Sequence, residues 1–197
     1  RIRGWLPEAF ATTKVAFDFW RKRTETHQRE IQTFGNFPSL FMGLVGPEGT
    51  WEHHGGKLRF TDSSGSVIAH QLDPQKYYEF IGESVQSSSY LKSPYYLPLG
   101  FPDGIYRVGP LARLNVAEQM GVPKADAELK NFKSLGRGAV TSSFLYHYAR
   151  LIEILASLEY IERHLEDPEL LSDSLRADAG INSLRGVGVS EAPRGTL

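Results

Sequence analysis

The stretch SFLYHYARLIEILASLEYIERHLE, Ser143 to Glu166, carries the strongest periodic signal in the chain. Thr141 and Ser142 offer capping hydroxyls ahead of it, and Asp167-Pro168 stops it, because proline disfavours helical geometry in the residue before it. At 100° per residue its apolar positions, from Phe144 and Leu145 through Tyr148, Leu151, Ile152, Ile154, Leu155, Leu158 and Ile161 to Leu165, cover about 200° of the circumference. So wide an arc predicts a helix of about 36 Å, buried on most sides in the core of a bundle. Tyr146, Arg150, Glu153, Ser157, Tyr160 and His164 form the remaining strip, with Arg150 and Glu153 spaced for an ion pair.

Working outward, Pro7 suits the first turn of a helix, and Phe10, Thr13, Phe17, Trp20, Thr24, His27, Ile31 and Phe34 recur at threes and fours until Gly35-Asn36. Pro38, Gly43, Gly46 and Pro47 make Phe37 to Gly49 read as loop. Lys57 to Thr61 and Ser66 to Gln71 flank Asp62-Ser63-Ser64-Gly65 and predict a β-hairpin. Asp73-Pro74 predicts a helix to about Val85, and further short helices are expected over Pro110 to Met120, Ala125 to Leu135 and Pro168 to Ala179. Between Tyr90 and Pro110, four prolines mixed with large aromatics predict an ordered loop packed on the body. The expected fold class is mainly α with a small β-hairpin component (α+β), a long buried core helix standing in a bundle. Residues 1–197 read as a single region and as an internal fragment of a longer protein. Within it, 1–89 hold the N-terminal helix, hairpin and short helix, and 90–197 the core bundle and a site-proximal loop.

Composition narrows the function. Among 197 residues, 22 Lys and Arg against 23 Asp and Glu give a net charge of -1, which argues against a nucleic-acid footprint. The absence of cysteine removes disulfides, thiolate nucleophiles, zinc ribbons and cysteine-held iron-sulfur clusters from what these residues do alone. No apolar run reaches the length of about 18 residues that a membrane helix needs.

His53, His54 and His70 lack the further ligands of a metal site, and His147, between Tyr146 and Tyr148, reads as a core histidine. Glu159 with Glu162 or Glu166 is a carboxylate pair of the sort helix surfaces commonly carry. Gly186-Val187-Gly188 and Gly136-Arg137-Gly138 lack the context of dinucleotide and phosphate loops. Glu191-Ala192-Pro193-Arg194-Gly195 differs in kind. Its guanidinium sits between a residue of fixed φ and one of free φ, so that it can be aimed at something close by.

Three strings, GFPDGIYRVGPLARLNV at 100–116, SFLYHYARLIEIL at 143–155 and GVGVSEAPRGTL at 186–197, together resemble the large, catalytic subunit of nickel-iron hydrogenases. They are most similar to the cytoplasmic, cofactor-reducing branch that includes NAD-reducing enzymes. The resemblance implies heterolytic dihydrogen oxidation or proton reduction at a nickel-iron centre, coupled to a soluble carrier such as NAD. It also implies, as partners, NAD-reducing (diaphorase) subunits and a small iron-sulfur subunit, with neither nucleic acid nor a membrane span. Four cysteines in two pairs hold the metals in that family, and none is here, so the resemblance implies a fragment that binds no metal and is inactive alone. It makes Arg194 the catalytic residue, its guanidinium able to polarise dihydrogen or take up the proton, and lays Pro193 against the iron's diatomic ligands. Glu191, Arg113, Asn115, Arg150, Glu153 and His147 would then support them. The competing readings are the metal-free quinone-site subunit of respiratory complex I and an inert helical module that docks an iron-sulfur subunit.

Overall fold

The computed structural model describes residues 1–174, 176, 180 and 186–197. Its central element is strand β1 (Leu40–Val45), buried along its whole length. Phe41 and Val45 point into one core and Met42 and Leu44 into another, on the opposite face. Each such side chain contributes roughly 1.5–3 kcal/mol on burial, which outweighs the penalty of about 0.5–1 kcal/mol for Gly43 inside a strand. The expectation of a loop over Phe37 to Gly49 is thereby corrected. A strand covered on both faces is apolar at every position, so the alternation that betrays a half-buried strand is missing.

Strand β2 (Lys57–Thr61) pairs antiparallel with β1 and β3 (Val67–Leu72) antiparallel with β2, as the hairpin signal predicts. On the other side of β1 lies β6 (Tyr106–Arg107), which runs parallel to it, and completes a mixed four-stranded sheet of order β3-β2-β1-β6. Helices α1 (Ile2–Thr26), α3 (Pro110–Val116), α4 (Pro123–Lys133) and α5 (Tyr146–His164) bury their apolar sides in the core on one face of the sheet. The short helix α2 (Gln28–Thr33) follows α1 and has Ile31 packed on the same core. The second core lies on the other face. There Phe60 meets Tyr96 and Tyr106 at ring distances of 4.5 and 5.4 Å, beneath the hairpin of β4 (Ile81–Val85) and β5 (Lys92–Tyr96). This is an α/β arrangement, and it replaces the expected helical bundle.

Several boundaries move for local reasons. Helix α1 begins at Ile2 and takes Pro7 inside it. The Asp73 side chain does cap the turn that opens at Pro74, accepting from Gln75 N, but the 3-10 segment Pro74–Glu79 is kinked at Lys76, and the chain then enters β4. Helix α3 stops at Val116, well before Gly121, because Arg59 takes the Val116 carbonyl at 2.8 Å and Glu118 and Trp51 turn to backbone pairing across Gly49 and Gln119. The segment after Asp167-Pro168 is a 3-10 turn, Pro168–Leu171, and part of the helix expected to Ala179 lies outside the described residues.

The largest correction concerns α5. Its buried side carries Tyr148, Ala149, Ile152, Glu153, Ala156 and Glu159, while Ile154 and Ile161 of the expected arc are exposed. Two carboxylates can face inward because each is fully engaged. Glu153 meets Arg113, and Glu159 accepts the first backbone N–H groups of α4, from Lys124 at 3.0 Å and Ala125 at 2.8 Å. An acidic side chain at a helix N-terminus satisfies orphan donors and complements the dipole.

Candidate functional site

Close packing of α3 on β1 sets up the site. A Cβ on Gly43 would lie 3.0 Å from Val116 Cγ2 and 3.3 Å from Arg113 Cγ, so the bare strand at this point lets the helix approach. Helix α3 opens at Gly109, whose φ of 85° is natural only to glycine, followed by Pro110 in the first turn. Arg113 is thereby carried over the sheet with 1% of its surface exposed.

The Arg113 guanidinium joins three distant segments. Its Nε and Nη2 donate to the two oxygens of Glu153 at 2.5 and 2.9 Å, a bidentate pair with α5. Its Nη1 donates to Glu191 Oε2 at 3.1 Å and to the Ala192 carbonyl at 2.8 Å. Burial alone would lower the Arg113 pKa, but the Glu153 and Glu191 carboxylates outweigh it and the value is raised. The cation is permanent. Remaining acceptor capacity is used as well. Trp51 Nε1 donates to Glu153 Oε1 at 3.3 Å, while Leu44 N and Thr196 Oγ1 donate to Glu191 Oε1 at 2.9 and 3.0 Å.

This network grips a small hairpin made of β7 (Glu191–Ala192) and β8 (Gly195–Thr196). Ser190 and Leu197 exchange both backbone hydrogen bonds at 3.0 and 2.9 Å and extend the ladder, and Glu191 N donates to the His53 carbonyl at 2.7 Å. The tip of the hairpin is the two-residue turn Pro193-Arg194. Its back rests on Val108-Gly109: a Cβ on Gly109 would come within 2.7 Å of the Arg194 carbonyl oxygen, and one on Gly195 within 2.4 Å of Val108 Cγ2. Tyr146, its hydroxyl pKa raised by burial, fixes that backing by donating to the Val108 carbonyl at 3.0 Å. Pro193 and Arg194 are themselves exposed.

Of the residues singled out in the sequence, Arg113, Glu153, Glu191, Pro193 and Arg194 converge here. Asn115 does not. Its amide pairs with both backbone groups of Val140 at 2.9 and 2.8 Å, the part of a missing strand neighbour. Arg150 is half-buried and has no ion pair among the described residues, since Glu153 is taken by Arg113. His147 is exposed, its ring 5.8 Å from Trp20, and is no core histidine. Trp51, Thr196, Tyr146 and the Leu44 amide were not foreseen. Only the adjacency of Thr196 to the Glu191–Gly195 string offered a signal, because the others depend on tertiary contacts.

No protein-family model matches the chain. The A subunit of the F420-non-reducing hydrogenase of Methanothermobacter thermautotrophicus is 42% identical over 194 residues, 96% of this chain and 39% of that protein. The beta subunit of the NAD-reducing hydrogenase HoxS of Cupriavidus necator is 35% identical over 187 residues, 93% of this chain and 37% of that protein. Among solved structures, a chain of an NAD+-reducing nickel-iron hydrogenase in the H2-reduced state superposes with a TM-score of 0.91 at 36% identity, over 98% of this chain and 43% of that one. The chain thus spans about two fifths of the length of the curated relatives it matches.

These matches correct the assignment to a nickel-iron large, catalytic subunit. The relatives are named as A and beta subunits, so the likeness is to hydrogenase subunits of those kinds. There is no cysteine, and among the described residues no group of three or more His, Asp or Glu side chains could hold a metal ion. The residues present therefore fit neither a nickel-iron centre nor an iron-sulfur cluster. No helix among the described residues is long and apolar enough to cross a membrane.

Proposed function

We propose that these residues belong to a hydrogenase subunit of the same kind as the methanogen and HoxS beta relatives, acting in a multisubunit oxidoreductase that reacts dihydrogen, and that their share of the chemistry is to present Arg194. One arrangement carries this reading. Arg113, anchored on Glu153, holds both the Glu191 carboxylate and the Ala192 carbonyl, so the Pro193-Arg194 turn projects from a fixed base. Likeness to hydrogenase subunits supports the reaction class.

Arg194 brings a permanent cation and five N–H donors on a planar fork. A cation positioned in advance beside developing negative charge stabilises that charge without reorganising at the moment of reaction, an effect often worth about 10²–10³ in rate. Rigidity matters as much as charge. The Arg113 clamp and the Val108-Gly109 backing supply it, while Arg194 leaves its guanidinium outside, where other parts of the complex can meet it. The proposed partners are iron-sulfur and NAD-reacting subunits, and the acceptor a soluble carrier such as NAD. A cytoplasmic setting belongs to the same proposal, because NAD, which gives the HoxS relative its name, is a diffusible intracellular carrier.

The test is Arg194→Lys in the complete complex, read as dihydrogen-dependent reduction of an artificial dye. Lysine keeps the charge and loses the fork, so turnover is expected to fall by at least about 10²-fold. Thermal stability should hold, because the side chain is exposed. Unchanged turnover would remove Arg194 from the reaction.

A further inference from the structure

Helices α1 and α5 lie antiparallel. Arg3 reaches the Leu165 carbonyl at one end, and at the other Phe17 meets Tyr148 at 6.0 Å and Trp20 meets His147 at 5.8 Å. These contacts fix which flanks of the two helices look the same way. At about 100° per residue, Trp5, Ala9, Ala16 and Phe19 of α1 share one side of the pair with Ile154 and Ile161 of α5. The large side chains are 55%, 61%, 43% and 40% exposed for Trp5, Phe19, Ile154 and Ile161, and the two alanines are half-buried between them. The result is a groove with a floor of small residues and apolar walls, and among the described residues no helix or strand covers it. A different flank of α1 carries Lys14, Asp18, Lys22 and Glu25, all exposed, as a solvated surface should.

Spacing identifies the shape of the missing occupant. Ala9 and Ala16 are one heptad apart, as are Ile154 and Ile161, and Trp5, Thr12 and Phe19 span two. A seam repeating every seven residues presents a straight stripe to a helix packed nearly along it, and small floor residues let the axes come close. From Trp5 to Phe19 the stripe runs about 21 Å, roughly four helical turns.

We propose that this groove seats an apolar-faced helix of roughly four turns from the same polypeptide, drawn from the part that the similar hydrogenase chains have outside the matched region. The proposal rests on reading these residues as part of such a subunit. Chain length supplies the occupant: the matched fold accounts for 43% of the neighbouring structure's chain and 39% of the Methanothermobacter relative, so more than half of each lies elsewhere. At its rim the Arg1 and Arg23 guanidinium groups stand over Trp5 and Phe19, at 5.2 and 5.3 Å.

The experiment uses the full-length polypeptide in its complex, with the photoreactive residue p-benzoyl-phenylalanine in place of Thr12 or Ile154, and in place of Lys14 as control. Copies labelled with heavy and light nitrogen are mixed so that links within and between them can be told apart. The expected result is an intramolecular link from both test positions to a peptide outside residues 1–197, several-fold above the Lys14 control. A link to another copy, to a different subunit or to residues 1–197, or no link above the control, would overturn the proposal. This readout needs no dihydrogen turnover. Failure of the Arg194→Lys test therefore leaves the link standing, and absence of the link leaves the role of Arg194 untouched.

Discussion

The Glu191 carboxylate accepts the backbone N–H of Leu44 at 2.9 Å, across 147 residues of sequence, and so ties the hairpin that bears Arg194 to the central strand of the sheet. The same carboxylate accepts from Arg113 on its other oxygen. A glutamine cannot serve both, because one of its terminal atoms is a donor facing a donor. Glu191→Gln is expected to cost about 1–3 kcal/mol for the donor left unmet. Glu191→Ala, which abandons both donors and empties the space, is expected to cost about 3–5 kcal/mol. Urea unfolding of the two variants checks the order, and equal costs would show that the Leu44 amide is not held by this side chain.

Gly43 offers a second test. A methyl group there lies 3.0 Å from Val116 Cγ2 and 3.4 Å from the Arg113 Cα, so α3 must move off the strand. Gly43→Ala is expected to destabilise by about 1–3 kcal/mol, the usual cost of overpacking a filled core. On the function proposed above, dihydrogen turnover of the complex should fall as well, because α3 carries Arg113. A stable variant with full turnover would show that this contact does not position the guanidinium.

Alkaline pH provides a third. Burial, helped by Glu83, pushes the Tyr106 hydroxyl up to about 12. Below pH 10 the hydroxyl is neutral whether the chain is folded or not, and stability does not depend on it. Between pH 10 and 12 the unfolded chain releases this proton while the folded one keeps it, so stability falls as pH rises. The loss amounts to about 3 kcal/mol at most, since each unit of pKa difference is worth roughly 1.4 kcal/mol. Tyr106→Phe should flatten the slope of melting temperature against pH in this window, relative to the wild type. Parallel slopes would place the titration elsewhere.

The sequence spoke clearly where structure is local. The β2–β3 hairpin and the span of α5 follow from turn residues and helical spacing within one window. It was silent where the deciding contact is distant. Strand β1 is hidden because burial on both faces erases the period of two, and prolines at its borders imitate a loop. The expected apolar arc of α5 shares Tyr148 and Ile152 with the buried side but runs on to the exposed Ile154 and Ile161, while Glu153 and Glu159 point inward to partners 40 and 34–35 residues away. The site shows the same division. Its members stand out singly as an arginine in a conspicuous string or a charge on a helix, but that Glu153 would take Arg113 as its partner instead of the nearby Arg150 follows only from the close approach at Gly43.

Two carboxylates share one guanidinium at Arg113, and the three side chains come from three segments that meet only in the finished fold. Each pair alone leaves a buried group unanswered, so the cluster works as an AND gate: α3, α5 and hairpin must all be docked before any of them gains from it. Arg194 is consequently displayed in fixed geometry by a completed molecule alone. A chain that has collapsed without seating α3 on β1 carries the same guanidinium on a loose end, with nothing to aim it.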